Sequence, residues 1–362
     1  MNPRGFQFGA SRTTPDFQFL AVSLVDGNVV AEFQDLQLSR LSYRFEETVS
    51  ETAVLPWRNI PSNWMEATTP YHVAILLTSG GTVLWGGIIV KRERTLRDAG
   101  LTVTLATVEH YFDSVYVKNH KYSNCDQCEI VRDLVSTTLK DHRFKLLIEA
   151  SPSKISRDRE YQKENRKTLL SVLQNLSNVS NGPEWCTSWR RVSGHYVPVL
   201  TVADRIGATT PVVTFDESVM TSFKISEDYT AGYGANMVTA VGDTTSEEPL
   251  ESDVMVDVQA NRPVVEFVLQ ESSSIVRKET LNGYARAALT RMKDGANTAD
   301  MTLSLTASPI VNEVWKPGDV IAWTISDDYG RLGEFAHGSA RVIGYDIDLS
   351  GVWTITPVMQ KE

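Results

Sequence analysis

The amino-acid sequence predicts a mainly β fold of the α+β class, in which a small helix-containing domain separates two β domains. Two stretches carry most of this prediction. Residues 83–90 are rich in β-forming side chains and include Gly86-Gly87, a pair typical of a bulge or a close backbone approach. Residues 101–108 alternate apolar residues with threonine, as a half-buried strand does. The charged segment 91–100 is expected to connect them as a long hairpin.

Composition limits the classes of function. The chain has 362 residues, enough for two or three domains with their own cores, and its 42% hydrophobic and 22% charged residues are ordinary for a globular protein. The formal net charge of −10 argues against a protein that grips DNA phosphates, which requires clustered lysine and arginine. It suits a surface past which DNA slides without binding.

Cysteine content and hydropathy indicate the compartment. Three cysteines give no disulfide framework, which fits assembly in a reducing cytosol. No signal peptide is visible at the amino terminus, and no apolar run reaches the roughly 18–20 residues of a transmembrane helix. We therefore expect no membrane-spanning segment.

The first β domain is predicted over residues 1–112, as a closed barrel or sandwich. The sequence Asp26-Gly27-Asn28 between two apolar runs is a strong hairpin signal. Residues 56–70 are expected to form a loop that carries Trp57 and Trp64. The predicted strands are 17–25, 29–33, 36–45, 71–78, 83–90 and 101–108.

An α/β insertion domain is predicted over residues 113–208. Residues 128–139 carry apolar side chains on one helical face, with Asp126 as the N-cap, and residues 169–176 predict a second amphipathic helix. The mixed charges of residues 157–167 are expected in a solvated loop or at the entry of an exposed helix. Predicted strands follow at 184–190 and 196–202.

The second β domain is predicted over residues 209–362, although strands from 209–243 could rejoin the first domain. One helix is expected near 280–292, and the acidic segment 243–257 is expected to be an exposed loop. The predicted strands are 212–215, 236–242, 301–306, 315–321, 341–345 and 352–357.

Four local sequence motifs resemble those of one protein family in their order and spacing. They are Trp85-Gly86-Gly87-Ile88 before residues 101–108; residues 167–176 leading to Gly182-Pro183-Glu184-Trp185; residues 235–242 before 281–285; and Lys316-Pro317-Gly318-Asp319-Val320 before 341–345. Together they span most of the chain and resemble the baseplate hub, or tail-tip, proteins of tailed phages, often called minor tail proteins.

The resemblance implies two similar β-barrels per subunit, assembled as a homotrimer into a pseudo-sixfold ring on a hexameric tail tube. It implies a distal tail or tail tube protein above, tip or fibre proteins below, and DNA that passes through without specific binding. It also implies location in the virion after assembly in the host cytoplasm. Many members carry an enzymatic or receptor-binding extension, and since this sequence stops at Glu362 we expect a bare hub.

No motif in the sequence predicts catalytic, cofactor-binding or metal-binding residues. Cys125 and Cys128 have the spacing of half a zinc or redox site, but no second such pair exists, so ordinary structural thiols are favoured. Six scattered histidines form no metalloprotease motif. Three acidic pairs could supply an acid and a nucleophile for sugar hydrolysis, but solvated surface is favoured. These pairs are Glu46-Glu47, Glu247-Glu248 and Asp327-Asp328.

The predicted function is therefore structural: a tail-tip hub that closes the tail tube and lets the genome pass on ejection, with no enzymatic activity. Trp57 and Trp64 are candidate interface residues, because tryptophan is enriched at binding hot spots. The alternatives are a tail-associated cell-wall hydrolase and a sugar-binding tail module that uses these tryptophans. A candidate acidic loop facing the lumen contains Glu247, Glu248, Glu251 and Asp253.

Overall fold

The structure is a computed structural model that describes residues 16–179, 181–230, 232–242, 249–257, 261–270, 277–308, 311–327 and 329–360. Within these residues the helices are α1 (Trp64–Ala67), α2 (Val108–Asp113), α3 (Gln127–Leu139), α4 (Leu169–Ser177) and α5 (Lys278–Met292). The strands are β1 (Phe17–Ser23), β2 (Val29–Phe33), β3 (Arg40–Arg44), β4 (Ser50–Pro56), β5 (Val73–Ser79), β6 (Thr82–Glu93), β7 (Gly100–Ala106), β8 (His120–Asp126), β9 (Leu147–Ala150), β10 (Ser156–Tyr161), β11 (Glu184–Val192), β12 (His195–Ala203), β13 (Pro211–Asp216), β14 (Met220–Asp228), β15 (Met237–Val241), β16 (Met255–Val256), β17 (Glu266–Gln270), β18 (Ala296–Ser304), β19 (Val320–Thr324), β20 (His337–Asp348) and β21 (Thr354–Met359).

The chain forms two compact units, each built from separate segments. The first unit contains Met1–Ser222, Met301–Asp328 and Ala336–Val358. The second contains Phe223–Asp300, Tyr329–Phe335 and Met359–Glu362. The three-domain division at residues 112 and 208 stays a prediction of the sequence.

A six-stranded antiparallel sheet with the order β2-β1-β5-β6-β7-β4 opens the first unit. The β1–β2 hairpin turns at Gly27, whose φ of 79° requires a left-handed conformation, as the Asp-Gly signal predicts. The β6–β7 hairpin is also confirmed. At Gly86 a Cβ atom would lie 2.5 Å from Nε1 of Trp189, so this glycine allows the close approach that its sequence suggested.

Two predictions for this region are wrong in detail. The strand predicted over 101–108 ends at Ala106, and α2 begins at Val108 after Thr107. The loop predicted over 56–70 contains a short 3-10 turn (Trp57–Asn59) and α1. Both short helices lie where the apolar pattern offers less than two helical turns, too few for periodicity to reveal them.

The middle of the first unit packs helices on a three-stranded sheet with the order β11-β12-β9. Both predicted helices are confirmed, and the Asp126 side chain caps α3 by accepting from the backbone amides of Cys128 and Glu129. The apolar faces of α3 and α4 are buried in one core with Trp185 and Leu200. This core positions β11, which supplies several residues of the site described below.

The solvated loop or helix entry predicted over 157–167 is wrong for its first half. Residues 156–161 form β10, which pairs antiparallel with β8, and a 3-10 turn follows at Lys163–Asn165. Every second side chain of β10 is half-buried, Arg157 among them. The Arg157 guanidinium donates to Oε1 of Gln127 and to the carbonyl of Asn181. Arginine packs its apolar stem inward, so a charged sequence concealed a strand of period two.

The C-terminal sheet of seven strands has the order β13-β19-β20-β21-β18-β14, with β3 paired to β20. Strand β3 is shorter than the predicted 36–45, and Tyr43 stands opposite Tyr345 in this pairing. A segment from the start of the chain thus belongs to a sheet built mainly from residues after 210. The reason is long-range pairing, which local sequence does not encode.

In the second unit, α5 packs on a three-stranded sheet with the order β16-β15-β17. The predicted helix near 280–292 is confirmed, and its buried residues Leu281, Ala285 and Ala288 meet Val238 and Ala240 of β15. Of the segment predicted as an acidic loop, residues 243–248 lie outside the described residues, and β16 forms a strand at its end.

The mainly β, α+β fold with barrel-like domains is confirmed. In the described ranges, none of the helices combines the length and apolar character needed to cross a bilayer.

Gly207 and Gly318 bring two backbone turns of the first unit into contact. A Cβ on Gly207, whose φ is 85°, would lie 2.1 Å from the carbonyl carbon of Gly318. Gly194 has a similar φ of 90° but nothing within 4 Å of its Cβ position. We expect Gly194→Ala to cost about 1–2 kcal/mol of unfolding free energy from backbone strain.

Gly207→Ala is expected to cost about 1–3 kcal/mol more, because the steric clash adds to the same strain. Urea denaturation of both variants measures the difference. Equal losses for Gly207→Ala and Gly194→Ala would show that the backbones can separate without penalty.

Candidate functional site

A cavity of about 390 Å³ lies in the first unit, between the first sheet, β11 and the C-terminal sheet. Its walls combine the aromatic rings of Tyr43, Trp85, Trp189 and Tyr345 with polar and charged side chains, Thr187, Glu149, Arg190 and Lys316 among them. Ligand sites join apolar walls to polar groups, so this cavity is the first place to search for chemistry.

A buried carboxyl group lies next to this cavity. Glu109 on α2 is fully buried, and its Oε1 accepts a hydrogen bond of 2.6 Å from the hydroxyl of Thr187. Its Oε2 has no hydrogen-bond partner among the described residues. The Thr187 amide in turn donates to the hydroxyl of Tyr43, at 3.0 Å. Burial raises the pKa of Glu109 to about 7, opposed by the hydrogen bond from Thr187.

These groups are arranged to hold the backbone rather than to react. The Tyr345 hydroxyl donates to the carbonyl of Leu84, and the Asn312 amide donates to the carbonyls of Val83 and Leu84. Cys186 also lines the cavity, and burial raises its pKa to about 12, so its thiol stays protonated and unreactive at neutral pH. The Glu109 carboxyl is fully buried, and the Cys186 thiol is unreactive. Such groups are typical of a junction where elements pack together, not of a site where a substrate reacts.

An ion pair closes the same region. The Arg341 guanidinium donates to both carboxylate oxygens of Glu184, and its side chain is only 10% exposed. It also donates to the carbonyls of Ile206 and Gly318. Two strands and two turns therefore meet on one planar group, whose fixed fork suits several acceptors at once.

The predicted cysteine pair is structural in position. Cys125 is the last residue but one of β8, and Cys128 is fully buried in the first turn of α3. Burial raises the pKa of both thiols, to about 12 for Cys128. In the part of the chain that the structure describes, no group of three metal-ligating side chains comes together. Whether Cys125 and Cys128 bind a metal was left open by the sequence, and the structure supplies no further ligand among these residues.

Of the three predicted acidic pairs, the structure describes Glu46-Glu47 and, of the third, Asp327. Glu46 is half-buried, and its Oε1 accepts from the Trp185 amide at 3.3 Å, whereas Glu47 is exposed. Desolvation raises the pKa of Glu46. Glu247, Glu248 and Asp328 lie outside the described residues.

The two candidate interface tryptophans are brought together. The rings of Trp57 and Trp64 meet edge to face, with centroids 5.4 Å apart. The guanidinium carbons of Arg92 and Arg94 lie 5.9 and 5.4 Å from the Trp64 ring centroid. Arg92 is fixed by donating to the Met65 carbonyl at 2.6 Å.

The tip of the β6–β7 hairpin extends this cluster. Leu96 is 98% exposed and stands between the exposed Arg94 and Arg97. We call Trp57, Trp64, Arg92, Arg94, Leu96 and Arg97 the arginine–tryptophan patch. Tryptophan and arginine together are the residue types most enriched where proteins bind each other tightly.

Of the predicted acidic loop, Glu251 and Asp253 are exposed. Asp253 forms an ion pair of 2.8 Å with Lys278 and accepts from the side chain of Asn282. These contacts hold the pKa of Asp253 below its usual value.

Sequence reasoning missed Glu109 and Arg341. Glu109 stands in Val108-Glu109-His110-Tyr111-Phe112, where a single acid gives no sign of burial. The only signal for Arg341 was its place at the head of a predicted strand. Both roles depend on partners more than 75 residues away, at Thr187 and Glu184.

No protein-family profile and no curated protein sequence matches this chain. Solved structures do. The 43 kDa tail protein of prophage MuSo2 from Shewanella oneidensis is 11% identical over 94% of this chain and 98% of its own, with a TM-score of 0.56. The tail protein from Neisseria meningitidis MC58 is 13% identical over 95% and 96%, with a TM-score of 0.55.

A chain in the structure of the Francisella PdpA–VgrG complex is 10% identical and covers 98% of this chain but 53% of its own length, with a TM-score of 0.51. At these identities the similarity shows a shared fold. The chain has the fold of prophage tail proteins, which confirms, at the level of the fold, the resemblance that the sequence indicated.

The buried carboxyl of Glu109 makes a prediction about pH. The folded state raises its pKa from 4.5 to about 7, so its contribution to stability is greatest below pH 4.5 and is lost as the pH rises through 7. Glu109→Gln keeps the hydrogen bond from Thr187 and removes the titration. We expect the variant to gain about 2–3 kcal/mol over the wild type between about pH 5 and about pH 8.

Denaturant unfolding at several pH values measures this difference in free energy. Glu47→Gln, which changes an exposed carboxyl, is the control and is expected to track the wild type. A constant difference between Glu109→Gln and wild type across this range would contradict the burial of a titrating group.

Proposed function

We propose that this chain is a structural protein of a phage tail, the baseplate hub that closes the tail tube as a homotrimeric ring and lets the genome pass. The observation that carries the proposal is the shared fold over almost the whole length of this chain and of two matched chains. The chain aligns over 94% and 95% of its length with two proteins that are themselves named tail proteins, nearly from end to end.

The proposed neighbours follow from this position. A distal tail or tail tube protein lies above the ring and tip or fibre proteins lie below it, so the chain belongs to the virion. Assembly in the host cytoplasm fits three cysteines that are all free thiols. The DNA passes without specific binding, in keeping with the net charge of −10.

The proposal assigns no catalysis to the chain. Burial raises the pKa of two groups near the cavity, Glu109 and Cys186; Glu109 is fully buried, and the Cys186 thiol is protonated at neutral pH. A cell-wall hydrolase that cleaves glycosidic bonds by the common mechanism requires two carboxyls on either side of a substrate, about 5–9.5 Å apart and open to it. Among the described residues that line the cavity, Glu149 is the one carboxylate, and it pairs with Arg190.

The sugar-binding alternative requires a tryptophan with an open ring face, on which a sugar can stack. In the arginine–tryptophan patch, Arg92 and Arg94 already lie over the ring of Trp64, and the Trp57 ring meets it edge to face. This geometry favours a protein interface, in which cation–π contacts and an apolar ring are buried together.

The acidic lining of the passage stays a prediction. Glu247 and Glu248 lie outside the described residues, and the ion pair of Asp253 with Lys278 leaves Asp253 little net charge to repel DNA. Glu251 is exposed and adds one negative charge for each copy.

The proposal predicts the mass of the purified protein. Light scattering coupled to size exclusion is expected to give three times the chain mass of 40.3 kDa at micromolar concentration, because a ring of copies buries large interfaces. A monomer that persists as the concentration rises would contradict the ring, and clearing of a peptidoglycan gel would favour the hydrolase.

The arginine–tryptophan patch predicts the effect of a single truncation. Trp64→Ala removes the ring on which Trp57, Arg92 and Arg94 rest, and we expect it to raise the concentration at half-assembly about tenfold or more. Tyr116→Ala is the matched control, since Tyr116 is 60% exposed and lies outside the patch. The degree of assembly is measured against concentration for both variants, and unchanged melting temperatures confirm that each is folded. If Trp64→Ala assembles as well as Tyr116→Ala, the patch is not part of the interface.

A further inference from the structure

The small sheet of the second unit has one covered face and one open face. Val238 of β15, Phe267 of β17 and Met255 of β16 lie with the core against α5. Residues directly opposite in neighbouring strands share a face, and alternate residues point to opposite faces. Met237 pairs with Val256 and with Glu266, and Thr239 pairs with Val268, so these residues occupy the face away from α5.

Valines dominate the exposed part of that face. Val256 and Val268 are 42% and 54% exposed, and Val254 and Val264, two residues ahead of Val256 and Glu266, are each 55% exposed. We call these four residues the valine face. Register places Val256 and Val268 on the face away from α5, and Val254 and Val264 lie just before β16 and β17. Four exposed valines on and beside one small sheet form an apolar surface of the kind that marks an interaction site.

Carboxylates accompany the valine face. Glu266 is exposed on β17 between Val264 and Val268. Glu251 is exposed and stands opposite Val241 in an isolated bridge, which places it on the same side of the sheet as Met237. The surface therefore combines an apolar centre with negative charge.

The arginine–tryptophan patch, in the first unit, has the opposite charge. Its fully exposed Leu96 stands between Arg94 and Arg97, and Met65 beside it is 53% exposed. Residues 91–98 carry four basic side chains against the two acids Glu93 and Asp98, so net positive charge surrounds an apolar centre on a chain whose net charge is −10. Apolar centres with charged rims of opposite sign are the complementarity found in specific interfaces.

We propose that the valine face of one copy docks on the arginine–tryptophan patch of the next copy, with Leu96 against the valines and Arg94 and Arg97 beside Glu266. The two surfaces are different, so the contact is heterologous, and a heterologous contact closes into a ring when its rotation fits the number of copies. This inference rests on the proposed homotrimeric ring and names the surfaces that form it.

Charge reversal in the full-length protein tests the contact. The double variant Arg94→Glu/Arg97→Glu and the single variant Glu266→Arg each place like charges together, and each is expected to raise the concentration at half-assembly about tenfold or more. Combining all three substitutions restores opposite charges and is expected to return it to within about threefold of wild type. The control Lys118→Glu/Lys121→Glu reverses two exposed charges elsewhere in the first unit and is expected to assemble normally.

Three outcomes test the proposed contact. Circular dichroism and the melting temperature of each variant confirm that it is folded. If the wild type and the charge-reversed variants assemble equally well, this contact is overturned and the proposed ring stands. Loss in each partial variant without recovery in the combined one also overturns the pairing, since each surface would then bind something else. Wild type that stays monomeric overturns the ring and this contact together.

Discussion

One largely buried ion pair holds the first unit together. Glu184 and Arg341 are 157 residues apart in sequence, and their side chains are 26% and 10% exposed. Arg341 donates to both carboxylate oxygens of Glu184 and to two backbone carbonyls, so the removal of either partner would leave the other charge largely buried without an opposite charge. Such a loss costs about 3–5 kcal/mol, far more than an exposed pair contributes. The pair fixes the start of β11 against β20, and the cavity walls depend on that placement.

Strand β6 connects this junction to the surface proposed for assembly. Near its start, Tyr345 and Asn312 bind the carbonyls of Leu84 and Val83, and Trp85 donates to the Ser42 carbonyl at 2.8 Å. Near its end, the same strand carries Arg92 over the Trp64 ring. A strand held at its buried end keeps the exposed end in a defined place, and a preformed surface loses less conformational entropy on association.

Helices and strands were predicted correctly where the local sequence pattern matches the local secondary structure. Alternation identified β7, helical periodicity and an N-cap identified α3, and Asp-Gly identified the first hairpin. Strand β10 was missed because its half-buried positions are long polar side chains, whose stems pack while their charges reach partners. The pairing of β3 with β20 was not predictable, because nothing near residue 43 specifies a strand 300 residues later.

The candidate site likewise contains residues that the sequence could nominate and residues that only the structure could reveal. Trp57 and Trp64 could be nominated from residue type and loop position, but their contact and the two arginines over Trp64 required the fold. Glu109 could not be nominated, because a carboxyl is exposed in most sequence contexts and only its surroundings bury it. The exposed valines of the second unit carry no signal in a β-rich sequence. The strand register is needed to interpret them, because it places alternate residues on the face of the sheet that α5 does not cover.

The distribution of polar groups supports the proposal that surfaces, rather than the cavity, carry the function. Inside the first unit, the Thr187 hydroxyl donates to one carboxyl oxygen of Glu109, and the Thr187 amide donates to the Tyr43 hydroxyl. The other Glu109 oxygen has no hydrogen-bond partner among the described residues. The arginines near the β6–β7 turn are exposed on a chain of net charge −10 and have apolar neighbours. Positive charge set beside exposed leucine and tryptophan on an acidic protein is suited to binding another acidic surface, and every further copy of this chain offers one.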